Sequence, residues 1–372
     1  MRKAGMREAD MMDRLYMKRA VALAKRGEGW VSPNPMVGAV IVKNDQIIGE
    51  GYHKKYGENH AEINAINNAS QSIEDATFYI TLEPCTHYGK TPPCVDRVIA
   101  SKPARVVVGV SDPNPVVSGK GLRILKDNGI ETTVDVMKEE CIKLNERYFK
   151  FTTTGVPFVT LKYAQTFDGR IASATGHSKW ISSNASLKYA HKLRSHHDAV
   201  MVGIGTVLAD DPDLTLRLAK GKNPVRVVID PHLKIHRDAR MLSNQEDSKT
   251  IVIYGTQYNK DKLSHLKEIG IETIMIPEQN ENRINLKACL TNLGERGISS
   301  ILVEGGSRII TSFMKERLVD KLIAITAPKI LGQGVDAIGN LDILRVDNSI
   351  RLDIVKISRK GVDIIIEATL EK

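Results

Sequence analysis

Apolar positions recur at helical spacing over residues 15–25, from about Asp13 onward, and Gly27 and Gly29 stop the pattern, which predicts a first helix. A β-branched run over 37–42 follows. Asn44-Asp45 turns it into Gln46-Ile-Ile-Gly49, which predicts a hairpin. Helical spacing returns over 60–69, a strand pattern over 77–82, a helix over 94–100 and a strand over 105–110. Strands alternating with helices from residue 37 to about 136 predict an α/β layered domain.

A polar helical stretch over 139–150 leads to Thr152-Thr-Thr-Gly155, and a fresh strand pattern begins over 157–164. The expected boundary lies near residue 150, giving domains 1–150 and 151–372. Beyond it, strands are predicted over 198–202, 224–230, 250–254, 300–303 and 322–330, with helices over 183–196, 285–296 and 307–317 between them. The runs 351–358 and 362–369 predict an antiparallel edge. No repeat relates the halves, and 372 residues suit two domains.

Composition adds limits. With 42% hydrophobic and 26% charged residues the chain has globular composition, not that of a disordered one. The net charge of +9 divides into +3 over 1–150 and +6 over 151–372, without a run of five or six like charges, which favours small phosphorylated ligands over nucleic acid. No stretch of 18 apolar residues occurs and the first ten residues lack an apolar signal core, so a cytoplasmic protein with no membrane partner is expected. Four cysteines are too few for a disulfide framework. A homo-oligomer is left open.

Cys85 and Cys94 carry chemistry. With His60 they offer one imidazole and two thiolates, and Glu62 is a spare carboxylate. Zinc at a catalytic site takes three such ligands and keeps a fourth place for water. Glu62 then moves protons while water attacks an amidine carbon of a nucleobase-like ring, which is hydrolytic deamination. His60 and Glu62 converge on one water most easily if His60 opens a helix, and Cys94 is expected to open another. The His-x-Glu and Pro-Cys-x-x-Cys signature of zinc deaminases is present except that eight residues, not two, separate the cysteines. That longer loop holds His87, Lys90 and two prolines, suited to a polar or phosphorylated substrate. A closed structural zinc site would instead need a fourth ligand, most obviously His53 or His87. Asn34, between prolines, could serve only as a turn. Cys141 and Cys289 sit in apolar helical patterns and read as core.

The motifs Asn34-Pro-x-Val-Gly-Ala-Val, Gly51-Tyr-His53, His60-Ala-Glu62 and Glu83-Pro-Cys-x-His87-x-Gly-Lys90-Thr-Pro-Pro-Cys94 resemble, in order, the deaminase half of the bifunctional riboflavin-biosynthesis deaminase/reductase family. The resemblance implies a cytidine-deaminase-like α/β/α fold, zinc on His60, Cys85 and Cys94, and Glu62 as the catalytic residue. It implies a 2,5-diamino-6-ribosylamino-pyrimidinone 5′-phosphate substrate, contacted by Asn34, His53, His87 and Lys90.

Four stretches stand out in the second half: Lys162 to Arg170 around Asp168-Gly, Gly176-His-Ser178-Lys-Trp180, Gly203-Ile-Gly205-Thr206 through Asp210 to Arg217, and Glu304-Gly-Gly306-Ser307. Glycines between a strand end and a helix start let backbone N–H groups approach phosphate. The third glycine of the dinucleotide fingerprint is missing, so a Rossmann fold is not indicated. As a set, the four resemble the reductase half of the same family. This implies a dihydrofolate-reductase-like α/β fold using NADPH to reduce a ribosyl group to ribityl. It implies that Ala164, Trp180, Thr206, Asp210 and Gly306 line the cofactor. Ser178, Arg194, Leu214, Arg217 and Glu304 line the substrate, with Lys162 near the reacting sugar. Arg194 and Arg217 offer forks for phosphate; Lys162, Asp210 and Glu304 are the candidate proton donors. Gln165-Thr166-Phe167 departs from the small or Met residue, then Ser-Leu, expected before Asp168. The rival readings are a nucleic-acid base deaminase with an appended domain, which lacks a basic block and stacking aromatics here, and a non-enzymatic zinc-stabilised binding protein.

Overall fold

β-branched and small residues in the runs that predict strands do form the sheets, because their side chains pack on both faces under helices. The computed structural model describes residues 8–280 and 283–371. The first seven residues, which carry most of the signal-core reading and the start of the 1–150 domain, lie outside that range. The chain divides into two units, Met1–Thr154 and Gly155–Lys372.

The first unit contains α1 (Glu8–Ala24), β1 (Gly38–Lys43), β2 (Gln46–Tyr52), α2 (Ala61–Asn67), β3 (Thr77–Ile80), α3 (Cys94–Ala100), β4 (Arg105–Val108), α4 (Lys120–Asp127), β5 (Glu131–Thr133), α5 (Lys138–Leu144) and α6 (Glu146–Thr154). Its sheet runs β2-β1-β3-β4-β5. β1 is antiparallel to β2 and β3, while β3, β4 and β5 are parallel. Met17 and Ala20 of α1, Val95 and Val98 of α3 and Leu125 of α4 bury against Ile41, Phe78 and Val107 of the sheet.

The single helix expected over 139–150 is two helices, and the second reaches Thr154. Asn145 breaks it. The Asn145 side chain takes the Met36 N–H at 2.8 Å and donates to the Met36 carbonyl at 2.9 Å, a long-range contact that local spacing cannot show.

The second unit contains β6 (Phe158–Thr166), β7 (Arg170–Ser173), α7 (Asn184–Ser195), β8 (Ala199–Gly203), α8 (Ile204–Asp210), β9 (Val225–Ile229), β10 (Thr250–Tyr254), α9 (Lys260–Glu268), β11 (Glu272–Met275), β12 (Glu278–Asn280), β13 (Arg283–Ile284), α10 (Leu286–Glu295), β14 (Ser300–Glu304), α11 (Ser307–Lys315), β15 (Lys321–Ala327), β16 (Gly334–Asp336), β17 (Leu352–Lys360) and β18 (Asp363–Leu370). A nine-stranded sheet runs β11-β10-β9-β8-β14-β6-β15-β18-β17. It is parallel from β11 to β15; β18 and β17 then form the expected antiparallel edge. Cys289 and Cys141 are fully buried in their cores, as expected of apolar helical positions.

Close packing of α2 on β2 fixes where His60 and Glu62 stand. A Cβ at Gly51 would collide with the Ala61 carbonyl and the Ala65 amide. Gly51→Ala should therefore destabilise the first unit by about 1–3 kcal/mol, as overpacking does. In a thermal unfolding scan of the full chain this lowers the first unit's midpoint and leaves the second unit's unmoved; equal midpoints for variant and parent would contradict the packing argument.

Candidate functional site

In the first unit the loops leaving the carboxyl ends of β3 and β4, where ligands of open α/β sheets bind, meet the start of α2. His60 is the cap residue of α2, Glu62 its second residue, and Cys94 the first residue of α3. Cys85 lies on the loop after β3. Its sulfur accepts the Cys94 N–H at 3.3 Å and its carbonyl accepts the Val95 N–H at 3.2 Å, so α3 holds that loop by its first-turn donors.

The Nδ1 of His60 is 3.2 Å from the Cys94 sulfur and 3.6 Å from the Cys85 sulfur, and all three ligand atoms lie within 4.8 Å of one another. Tetrahedral zinc bonds place sulfur and nitrogen roughly 3.5 Å apart, so the set fits that metal. Glu62 is 3% exposed and its Oε2 has no hydrogen-bond partner among the described residues. Burial, aided by the Cys85 charge, pushes its carboxyl up to about 7. An unmet buried oxygen beside three soft ligands is what a metal and its exchangeable ligand would satisfy.

A cleft of about 250 Å³ opens from this point, and Asn34, His53, His87 and Lys90 all line it. His53 is 1% exposed; its Nδ1 bonds the Asn59 carbonyl at 3.2 Å and its Nε2 meets the Asn34 amide at 3.3 Å. Both His53 ring nitrogens are occupied, and among the described residues neither His53 nor His87 joins the group of His60, Cys85 and Cys94. Asn34 makes its turn, N–H to the Val31 carbonyl at 2.9 Å, and also reaches His53. The Lys90 ammonium sits 4.2 Å from the Tyr56 ring centroid.

Sequence reasoning did not assign Glu83, Asp112, Asn114 and Tyr148, which line the same cleft. The Glu83 carboxylate accepts four backbone N–H groups: Asp112 at 3.1 Å, Gly119 at 3.0 Å, Gly121 at 2.9 Å and Leu122 at 3.3 Å. Two residues before Cys85, it ties the metal loop to the loop after β4 and the start of α4. Asp112 in turn accepts the Tyr148 hydroxyl at 2.9 Å, and burial raises its carboxyl above the ordinary range. The available signal was the Asp112-Pro-Asn-Pro115 turn just past a parallel strand.

In the second unit, Lys162 on β6 stands in register opposite Glu304 on β14. Lys162 Nζ is 3.7 Å from Glu304 Oε2, and Arg194 grips Glu304 with Nε at 2.7 Å and Nη2 at 3.1 Å. Burial opposes ionisation of Glu304, but Arg194 and Lys162 hold it down to about 2. Burial lowers Lys162 against the pull of Glu304. The two-pronged Arg194 face expected for phosphate is thus turned onto Glu304. Its Nη1 donates to the Thr215 carbonyl at 3.3 Å. The Leu214 side chain is buried in a core cluster at a left-handed φ of +57°, so its main chain is the part that could meet a ligand. Arg217 is exposed, and its guanidinium makes no ion pair among the described residues.

The glycine turns stand side by side at the ends of neighbouring strands β8 and β14. The Gly306 N–H donates to Thr206 Oγ1 at 3.0 Å, and a Cβ at Gly305 would collide with Ile309. Ser178 meets Asp210 at 3.5 Å, and the Trp180 carbonyl accepts Lys329 at 2.6 Å with the Trp180 side chain exposed. Ala164 packs beside Leu193 and Ile325. At Gly205 the turn faces open space, since a Cβ there would meet nothing within 4 Å. Thr166, at the unexpected Gln-Thr-Phe, supplies the hydroxyl a serine would: it donates to Asp168 at 2.6 Å and accepts the Arg170 N–H at 3.0 Å.

Residues 11–110 match the family described as the cytidine and deoxycytidylate deaminase zinc-binding region, and residues 157–366 match the family described as the RibD C-terminal domain. Riboflavin biosynthesis protein RibD of Aquifex aeolicus (strain VF5) is 46% identical over 356 residues, covering 95% of this chain and 98% of that protein. That of Escherichia coli (strain K12) is 38% identical, covering 87% and 89%. Among solved structures, Acinetobacter baumannii RibD, form 1, superposes with a TM-score of 0.87 at 36% identity, covering 98% of this chain and 100% of that one. A Thermotoga maritima diaminohydroxyphosphoribosylaminopyrimidine deaminase/5-amino-6-(5-phosphoribosylamino)uracil reductase gives a TM-score of 0.84 at 37% identity, with the same coverage. No helix among the described residues is long and apolar enough to cross a membrane.

Glu83→Gln keeps the shape but presents an amide to backbone donors. It should cost about 1–3 kcal/mol of first-unit stability and loosen zinc, read as faster metal loss to a chelator. Parent-like unfolding and parent-like zinc retention together would remove Glu83 from the site's support.

Proposed function

The chain belongs to the RibD family of bifunctional deaminase/reductase enzymes of riboflavin biosynthesis, and on that footing we propose how its residues divide the two reactions. Its first unit is cytidine-deaminase-like with a zinc site at His60, Cys85 and Cys94; its second is dihydrofolate-reductase-like, and the reductase of this family uses NADPH. The observation that carries the residue assignment is the unmet Glu62 oxygen beside the three converging ligand atoms.

In the deaminase half, zinc when bound supplies Lewis acidity toward water. Glu62 accepts a proton from the attacking water at Oε2 and returns it to the departing amino nitrogen. A C–O bond forms, the C–N bond breaks, and ammonia leaves. His53 fixes the Asn34 carboxamide through Nε2, and the two line the ring edge of 2,5-diamino-6-(5-phosphoribosylamino)pyrimidin-4(3H)-one, while His87 and Lys90 meet its polar and phosphate groups. Burial of Glu62 and the cleft walls keep bulk water from competing for that proton.

In the reductase half, NADPH when bound supplies a hydride to C1 of the opened ribosyl group of 5-amino-6-(5-phosphoribosylamino)uracil, giving ribityl. Thr206, Gly306, Asp210, Trp180 and Ala164 hold the cofactor, and Ser178, Leu214 and Arg217 hold the substrate. Of the three candidate proton donors, Lys162 is favoured: Glu304 is fixed as a carboxylate by Arg194, and Asp210 is engaged with Ser178. Arg194 orders Glu304 and the Thr215 carbonyl instead of meeting phosphate itself. Scattered charge and four free cysteines support a cytoplasmic enzyme of phosphorylated pyrimidines, without nucleic-acid or membrane partners.

Incubation with the diaminopyrimidinone ribosylphosphate, with and without NADPH, tests the scheme through ammonia release and NADPH absorbance. Glu62→Gln should cut deamination by about 10³-fold with zinc still bound; metal loss in that variant would remove Glu62 from the proton-carrying role. Arg217→Ala should raise the reductase KM roughly tenfold and leave ammonia release unchanged. A parent-like KM would take phosphate binding away from Arg217.

A further inference from the structure

Helix α7 presents two side chains, one turn apart, to the segment that carries Arg217. Arg194 Nη1 donates to the Thr215 carbonyl at 3.3 Å, and His191 Nδ1 accepts the Arg217 N–H at 3.1 Å. Between them, the Leu216 N–H is held by Asn223 Oδ1 at 2.7 Å. Three successive residues are therefore fixed through their main chains, directly after the left-handed turn at Leu214. The Arg217 guanidinium itself is exposed and makes no ion pair among the described residues.

We infer that His191 is a positioning residue of the reductase site, holding the main chain at Arg217 so that the guanidinium meets the substrate's phosphate. The inference rests on the assignment of that phosphate to Arg217. His191 is 5% exposed and belongs to no motif that the functional reading uses. To accept from an amide, Nδ1 must carry a lone pair, so the imidazole is neutral with its proton on Nε2. Its surroundings enforce that state: burial foremost, then the cations Arg194 and Arg217, with Lys162 adding and Glu304 opposing, bring the imidazole down to about 4. A charged imidazole would lose the hydrogen bond and add a fourth cation to the cluster.

An acceptor here does something an apolar filler cannot. A leucine of similar bulk keeps the packing under α7 but leaves the Arg217 N–H facing a hydrocarbon, and the segment then relaxes toward solvent. Asparagine places its Oδ1 at the same distance from Cβ as the histidine Nδ1 and can take the same bond. The contrast between the two separates acceptor chemistry from volume.

The experiment uses the full-length enzyme and steady-state reductase kinetics with the phosphorylated substrate and its dephosphorylated form, the second unit's thermal unfolding midpoint serving as a fold control. His191→Leu should raise KM for the phosphorylated substrate about tenfold, with kcat within about twofold. His191→Asn should restore most of that loss, and neither should change KM for the dephosphorylated form. Combined with Arg217→Ala, His191→Leu should add nothing further. Should the leucine variant fail to fold, His191→Ala carries the same expectations. A parent-like KM in His191→Leu beside a raised KM in Arg217→Ala overturns the positioning role alone, as does an additive double variant. A parent-like KM in Arg217→Ala overturns the phosphate assignment and the inference with it.

Discussion

A carboxylate taken out of water has to be met by donors or positive charge, and the two sites differ in how far that demand is satisfied. Glu83 is met in full by four backbone N–H groups, and the result is a rigid corner between two loops. Glu304 is met by Arg194 and Lys162 and stays ionised, so it can orient neighbours but not lend a proton. Glu62 is met only in part. Its Oε2 has no partner among the described residues.

The deaminase centre also depends on two short helix starts. His60 caps α2 and Cys94 opens α3, so both ligands stand where free N–H groups favour negative charge. Glu62 shares the first turn of α2 with His60. Gly51 lets that helix sit close against β2, which fixes where His60 and Glu62 stand. The reductase site has a different logic, in which strand ends supply charge and glycine turns supply space.

Much of this was legible in the sequence because it is local. The hairpin at Asn44-Asp45, the helices opening at His60 and Cys94, and the antiparallel edge at the C-terminus follow from spacing and turn chemistry. Order of motifs identified the family. What local pattern could not show was any contact that joins distant segments. Asn145 splits a helix because it binds Met36, more than a hundred residues earlier. Arg194 looked free for phosphate until Glu304, 110 residues later, took its fork. Glu83 reads as part of a Pro-Cys motif, but its four partners lie beyond residue 111. Thr166 was read as a departure, although a hydroxyl two residues before Asp168 is what that turn uses.

The pairing of Lys162 with Glu304 across β6 and β14 bears on how the sheet assembles. Side chains alternate faces along a strand, so sliding β6 by one position would set Tyr163 against Glu304 and send Lys162 toward the opposite layer. The glutamate would then face Arg194 with its second cation gone, and an ammonium would enter hydrocarbon. Apolar strands such as these, rich in valine, isoleucine and leucine, discriminate poorly between neighbouring alignments on their own. This buried ion pair therefore also acts as a checkpoint on strand alignment, penalising a misaligned sheet.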